Sequence, residues 1–252
     1  MSAKPLNVPL IDMKNSPVLP SKRVKKCLIG GKYYEEITDL IALGVECIPI
    51  PGDENLADEI RFHADINAFN CGNNKLIIND NIAGEIAPIH GFNIIKCKGI
   101  KSPYPDDVKL NCAFLGDKLI GNTKYLAPEI HSFCNENNIE IIHTNQGYSR
   151  CSLAPVNSNA VITEDDGLAS LLNFYQIDVL KIEKGFIHLS DTHYGFIGGA
   201  CGKISSSEMY FSGDLSKHPS YNDILAFLKN YNIKPNFNTN RPLNDFGGFI
   251  AL

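Results

Sequence analysis

The feature that most constrains this chain is a repeat. Five short apolar runs begin at Cys27, Leu76, Leu119, Val161 and Tyr210, in steps of 49, 43, 42 and 49 residues. Self-similarity at such a period marks a repeat architecture. Each run ends in turn-forming residues: Gly30-Gly31, Asn79-Asp80, Gly121-Asn122, Glu164-Asp165 and Gly213-Asp214. Each therefore reads as a short buried strand.

The segments after the runs recur as well. Helix-period segments are predicted over Tyr34–Leu43, Ile82–Ile89, Leu126–Asn135, Leu168–Tyr175 and Tyr221–Asn230. In the last, Ile224, Leu225, Phe227 and Leu228 would share one face. Second strands are predicted over Val45–Ile50, Phe92–Cys97, Ile139–His143, Ile177–Ile182 and Ile233–Asn238. Polar stretches then lead into third strands over Arg61–Asn70, Asp107–Leu115, Cys151–Ala160, Ser190–Ile197 and Asn244–Ala251. One strand-helix-strand-strand module cannot bury both faces of its strands, but five about an axis can, with helices outside and the polar third-strand starts near the centre. The competing architecture is an ordinary α/β sandwich with evenly spaced elements. The expected domain spans 27–252, with modules near 27–75, 76–117, 118–158, 159–207 and 208–252. Residues 1–26 hold four prolines and are expected to be an arm packed on the last module.

Composition narrows the function classes. With 44% hydrophobic and 20% charged residues, the 252-residue chain is not a disordered one. No apolar run approaches the ~20 residues of a membrane span, and the start has no apolar signal core, so a cytoplasmic protein is expected. A net charge of −5 offers no basic field for a nucleic-acid backbone. The eight cysteines contain no Cys-x-x-Cys pair, which argues against a zinc finger or a disulfide scaffold. Most, including Cys47 and Cys112, are expected to be small buried hydrophobes.

In a ring of modules, functional residues should come from equivalent positions. The third-strand starts supply His63-Ala64-Asp65, Pro105-Asp106-Asp107 through Asn111, Gln146 through Ser152, Asp191-Thr192-His193, and Asn244-Asp245. The chain resembles the guanidino-group-modifying enzymes, the pentein superfamily. His63-Ala-Asp65 with Phe69 resembles their His-x-Asp motif, Pro105 to Cys112 a module of dimethylarginine dimethylaminohydrolase, and Gly147-Tyr-Ser-Arg150-Cys151 to Pro155 the nucleophile segment of arginine deiminase. The resemblance implies a five-bladed pseudo-symmetric α/β propeller, with Cys151 as nucleophile and His63 as general acid/base. It implies Asp65, Asp191 and Asp245 as substrate carboxylates. His193, Arg150 and Asn111 are further substrate-binding candidates. The module order departs from the family's: it looks circularly permuted, and Gly248 stands where the family has an Asp.

The residue types suit the chemistry. Carboxylates hold a planar guanidinium through paired charge-assisted hydrogen bonds. A thiolate then attacks its carbon, and a histidine protonates the departing amine before activating water. No metal or cofactor is needed. A cationic neighbour such as Arg150 would lower the Cys151 pKa. Water or an amine can resolve the covalent intermediate, so hydrolysis and amidino transfer are both compatible. Arg61, Arg150 and Arg241 are candidates to hold a substrate carboxylate. Two other readings use the same residues. His63, Asp65, Asp191 and His193 could hold a divalent ion in a metal hydrolase, with Cys151 as a soft ligand. A pentein without catalysis, like the ribosome anti-association factor, would be a binding protein, with Cys151 and His63 as core residues and the aspartates as turn residues.

Overall fold

The computed structural model describes residues 18–190 and 193–252. In chain order the first elements are β1 (Lys26–Gly30), α1 (Tyr34–Ala42), β2 (Glu46–Ile50), the single turn α2 (Ala64–Asn67), β3 (Ala68–Gly72), β4 (Lys75–Asn79) and β5 (Asn93–Cys97). Then come β6 (Ala113–Leu115), β7 (Lys118–Gly121), α3 (Pro128–Glu136), β8 (Glu140–His143), β9 (Ala154–Asn157), β10 (Ala160–Thr163), α4 (Asp166–Phe174) and β11 (Asp178–Lys181). The last are β12 (His188–Ser190), β13 (His193–Tyr194), β14 (Cys201–Ser205), β15 (Glu208–Phe211), α5 (Tyr221–Asn230), β16 (Lys234–Phe237) and β17 (Ile250–Ala251).

These strands form five three-stranded sheets among the described residues: β17-β1-β2, β3-β4-β5, β6-β7-β8, β9-β10-β11 and β14-β15-β16. Each central strand runs antiparallel to the first and parallel to the third. The parallel step requires a crossover, which a helix supplies in four sheets. The first sheet joins the two ends of the fold, with Cys27 opposite Ala251 and Leu28 opposite Ile250.

Alternate side chains point to opposite faces of a strand, and each face has its own partner sheet. In the second sheet Phe69, Cys71 and Ile77 pack with Phe114, Leu119 and α3 of the third. Ala68, Leu76 and Ile78 instead pack with Leu28, Ile48 and Ile250 of the first. The third and fourth sheets share a cluster that includes Ile120, Val161 and Leu168. The fourth and fifth share one with Val156, Ile162 and Phe211. The fifth and first share one with Ile204, Tyr210 and Ile29. Central strands buried on both faces read as continuous apolar runs, whereas β5, β8, β11 and β16 are largely exposed or half-buried.

Four helices end alike. Gly44, Asn138, Gln176 and Asn232 adopt positive φ. The amides of Val45, Ile139, Ile177 and Ile233 then return to the carbonyls of Leu40, Cys134, Leu172 and Leu228. This is the Schellman arrangement, with its apolar contact between the two bonded residues. It stops the helix and starts the parallel strand that follows (β2, β8, β11 or β16) at one geometry.

Two sequence expectations on the elements fail. No helix forms over Ile82–Ile89; residues 80–92 run as turns and irregular chain. Pro88 interrupts the segment and Gly91, at φ 86°, follows just beyond it, which leaves too few residues for a stable helix. Ser190–Ile197 is not the strand that enters the fifth sheet. Of its described residues, Ser190 ends β12, His193 and Tyr194 form β13 and the rest follow as a turn, and β14 is the entering strand. Asp191 lies outside the described residues. Ahead of β1, the Val24 amide donates to the Ile204 carbonyl at 2.8 Å and Arg23 pairs with Glu208.

Candidate active site

Each chemistry-bearing segment lies just before the first strand of a sheet. His63 caps the N-terminus of α2, and Asp65 sits in that turn, ahead of β3. Asn111 is two residues before β6, Arg150 and Cys151 are just before β9, and Asp245 leads toward β17. Segments more than 180 residues apart thus meet: the Asp65 amide donates to the Gly247 carbonyl at 3.1 Å. Gly247 has φ 71°, and a Cβ there would lie 2.3 Å from the His63 Cβ, so both backbone and contact require glycine.

Asn111 organises the segment that carries Arg150 and Cys151. Its Oδ1 accepts from the amides of Arg150 at 2.8 Å and Cys151 at 3.2 Å. Its Nδ2 donates to the Cys151 Sγ at 3.1 Å and to the Asp65 carbonyl at 3.2 Å. The Cys151 thiol in turn donates to Asp65 Oδ2 at 3.1 Å. Asp245 accepts from the amides of Phe196 at 2.9 Å and Gly247 at 3.0 Å. The Nδ1 of His63 stands 3.8 Å from Asp245 and 4.0 Å from Asp65, and neither ring nitrogen has a hydrogen-bond partner. His63, Asp65, Asn111, Cys151 and Asp245 are all buried.

Burial sets the protonation states. It pushes His63 down to about 3, so the ring is neutral. Burial, then the Asp245 charge, raises Asp65 to about 7, and burial raises Asp245 to about 6. Burial, then Asp65 and Asp245, pushes the Cys151 thiol well above its ordinary value. The lowering expected from a cationic neighbour is therefore outweighed by burial. Arg150 is buried, but its guanidinium donates to the carbonyls of Leu153 at 3.2 Å and Gly198 at 3.0 Å, and its charge works to lower the pKa of both aspartates.

His63, Cys151 and Asp245 line one cavity of about 560 Å³, together with Asp107, Tyr104, Tyr148, Phe196 and the exposed His193. Asp65 and Arg150 line a small cavity of about 30 Å³ instead. Gly248 has φ 57°, and a Cβ there would approach the Arg150 Nη2 to 3.5 Å. Among the described residues no three His, Cys, Asp or Glu side chains are grouped to hold a metal ion.

Sequence reasoning missed Glu164. Its carboxylate is buried, accepts from the Ile197 amide at 3.3 Å and is raised to about 8, first by burial. The available signal was a Glu directly after a strand that opens with Ala160, Val161 and Ile162. The cavity's aromatic wall was also missed, because Tyr104, Tyr148 and Phe196 come from three separate loops.

A family model covers residues 28–250. The chain belongs to the family of unknown function DUF6873. No curated protein matches it. Among solved structures it is similar to the C. jejuni agmatine deiminase, at 10% identity and TM-score 0.55, covering 86% of this chain and 87% of that one. It is similar to the inosamine-phosphate amidinotransferase of Streptomyces griseus, at 10% identity and TM-score 0.53, covering 90% of each chain. The dimethylarginine dimethylaminohydrolase of Pseudomonas aeruginosa, solved as a mutant complexed with citrulline, matches at 10% identity and TM-score 0.52, over 85% of this chain and 92% of that one. The fold is thus a mixed α/β fold of the pentein kind, as the resemblance implies. Identities this low carry the fold and no activity. No helix among the described residues is long and apolar enough to cross a membrane.

Proposed function

We propose that this protein is a cysteine-dependent enzyme acting on a small guanidino or amidino compound through a covalent S-amidino intermediate. One observation carries the reading: Cys151, His63 and Asp245 come from three distant segments and line a single cavity, with Asp65 bonded to the thiol behind them. The similar folds of guanidino-modifying enzymes support the class. Five shared cores linking the sheets in cyclic order support a propeller of five blades, in which a circular permutation keeps the pore intact.

The resting site holds a thiol and a neutral imidazole beside two carboxyl groups. A guanidinium entering this site supplies the missing cation. Asp245 and Asp65 ionise against it, and its charge lowers the thiol pKa. The thiol proton passes to His63, whose pKa rises beside the ionised aspartates. The Sγ electron pair bonds the guanidinium carbon, and the C–N bond breaks as His63 returns the proton to the leaving nitrogen. Water then loses a proton to His63 and adds to the S-amidino carbon, and expulsion of the thiol frees the product. An amine in place of that water would give amidino transfer. Asp65, Asp191, Asp245, His193, Arg150 and Asn111 are retained as substrate-site residues, with Asn111 and Arg150 acting through the segments they hold. No cofactor enters this scheme, and a cytoplasmic setting suits its reduced thiol.

The test is covalent trapping. A chloroacetamidine-type reagent should label Cys151, and Cys151→Ser should end turnover of any guanidine the wild-type protein consumes. If the reagent leaves Cys151 unmodified and no guanidine binds, the reading is wrong. A non-catalytic pentein, favoured by the nearly complete burial of Cys151, then replaces it. Loss of activity on chelation, with a stoichiometric metal released, would favour the metal hydrolase instead.

A further inference from the structure

The cavity that holds Cys151 has a second polar end. Asp107 lines it and is only 3% exposed. Its Oδ2 accepts from the Tyr148 hydroxyl at 2.9 Å, while Oδ1 has no hydrogen-bond partner. A buried carboxylate oxygen without a donor is costly unless a ligand supplies one. The Tyr104 and Tyr148 rings lie 6.0 Å apart beside it, and tyrosine faces attract cations.

The two ends are joined by an apolar shelf. Tyr148 stacks on Phe196 at 6.3 Å and 25°, and the Phe196 amide holds Asp245. The path from Asp107 to Asp245 thus runs over two stacked rings. Among the described residues that line the cavity there is no Lys or Arg, while Glu59 adds a third carboxylate. The three arginines suggested by the sequence for a substrate carboxylate are committed elsewhere. Arg61 pairs with Asp58, Arg150 with two carbonyls, and Arg241 with Asp39.

Resting on the guanidine reading above, we propose that the cavity is built for a dication: a guanidinium at the Cys151 end, a methylene spacer along the Tyr148–Phe196 shelf, and an ammonium received by Asp107. The far end of the substrate therefore carries an amine and not a carboxylate. A distal carboxylate would meet Asp107, with no lysine or arginine among the described lining residues to receive it.

The experiment compares three probes of equal length: aminobutylguanidine, pentylguanidine and guanidinopentanoate. Calorimetry on the Cys151→Ala protein reads binding without turnover. Aminobutylguanidine should bind at least about tenfold more tightly than pentylguanidine, as one charge-assisted hydrogen bond implies, and guanidinopentanoate most weakly. Asp107→Asn should remove that preference and leave pentylguanidine binding unchanged, which also reports that the variant is folded. Tyr148→Phe should reduce the preference less, because it removes a donor from Asp107 but keeps the carboxylate. If all three bind alike, if guanidinopentanoate binds best, or if Asp107→Asn weakens all three equally, the dication site is wrong while the guanidine reading stands. If none of the three binds, both fail together.

Discussion

Cys151 and Cys112 share one apolar cluster and are both fully buried, and burial raises both thiols well above their ordinary value. Their surroundings differ in kind. Cys112 offers its thiol only to the Leu110 carbonyl at 3.7 Å, and its other neighbours include Cys71, Cys134 and aromatic rings. Cys151 has an amide donor, a carboxylate acceptor and a cavity wall. Burial alone therefore does not distinguish a core thiol from the one proposed as nucleophile. The difference lies in polar groups that can accept the proton and hold a cation, and in a path for the ligand.

The largest effect expected separates Cys151→Ser from Cys112→Ser. The first should lower turnover about a thousandfold or more, because no comparable nucleophile remains. The second should leave turnover unchanged. Reagent charge separates the thiols further. A neutral alkylating agent should react first at half-exposed Cys47, whose pKa is lowered by the Cys27 thiol bonded to it. A cationic amidine reagent should reverse that order in favour of Cys151, since its cavity places Asp245 and Asp65 beside the thiol. Peptide mapping after limited labelling reads both, and the same order with both reagents would erase the distinction.

Asn111→Ala is next in size. It removes the donor whose bond lowers the Cys151 pKa, and it leaves two buried amides without their acceptor. Each such orphan costs about 1–3 kcal/mol. Amidine labelling of Cys151 should fall about tenfold, as one lost charge-assisted bond implies, with a clear fall in Tm. Unchanged labelling at reduced stability would make Asn111 a purely structural clamp.

How far the sequence carried these assignments varies with distance along the chain. Central strands and helices were legible because their signals are local: Tyr221–Asn230 forms as expected, and its Ile224, Phe227 and Leu228 are buried. The repeated helix ending was also present in the sequence, as Gly44-Val45, Asn138-Ile139, Gln176-Ile177 and Asn232-Ile233. It went unread because Gln is not an expected left-handed residue. His63, Asp65, Cys151 and Asp245 stood out by side-chain type. Their protonation did not, because it depends on desolvation by segments far away in sequence. Asp107 reads as a turn residue after Pro105, and only the fold brings it to the cavity with Tyr148.

The response to pH also divides the acidic site from its core. Asp65 and Asp245 have raised pKa values in the folded protein, about 7 and about 6. The folded state then holds protons that the unfolded chain has already lost, so stability falls as pH rises from about 4, the carboxylate value of the unfolded chain, through those values. His63 acts oppositely. Its folded value of about 3 gives stability that is lost as pH falls below about 6.5. Asp65→Asn should therefore raise Tm relative to wild type more at pH 8 than at pH 4, by thermal denaturation across that range. An equal change at both would mean that Asp65 is not the protonated group.

The smallest effect expected is that of Cys112→Ala. The Cys112 Sγ contributes packing and one weak bond to a carbonyl. Removing it leaves a cavity about one sulfur atom in size, and small cavities in a core cost about 1–2 kcal/mol. The loss should appear as a few degrees in Tm, since roughly 1 kcal/mol shifts Tm by 2–4 °C in a domain of this size. Amidine labelling of Cys151 should be unaffected, although Cys112 follows Asn111 directly, because the Asn111 bonds to Cys151 use its own side chain. That makes the variant the strictest test of whether core and site are separate. If Cys112→Ala slows labelling as much as Asn111→Ala does, the packing of β6 sets the nucleophile geometry, and the two thiols belong to one mechanical unit.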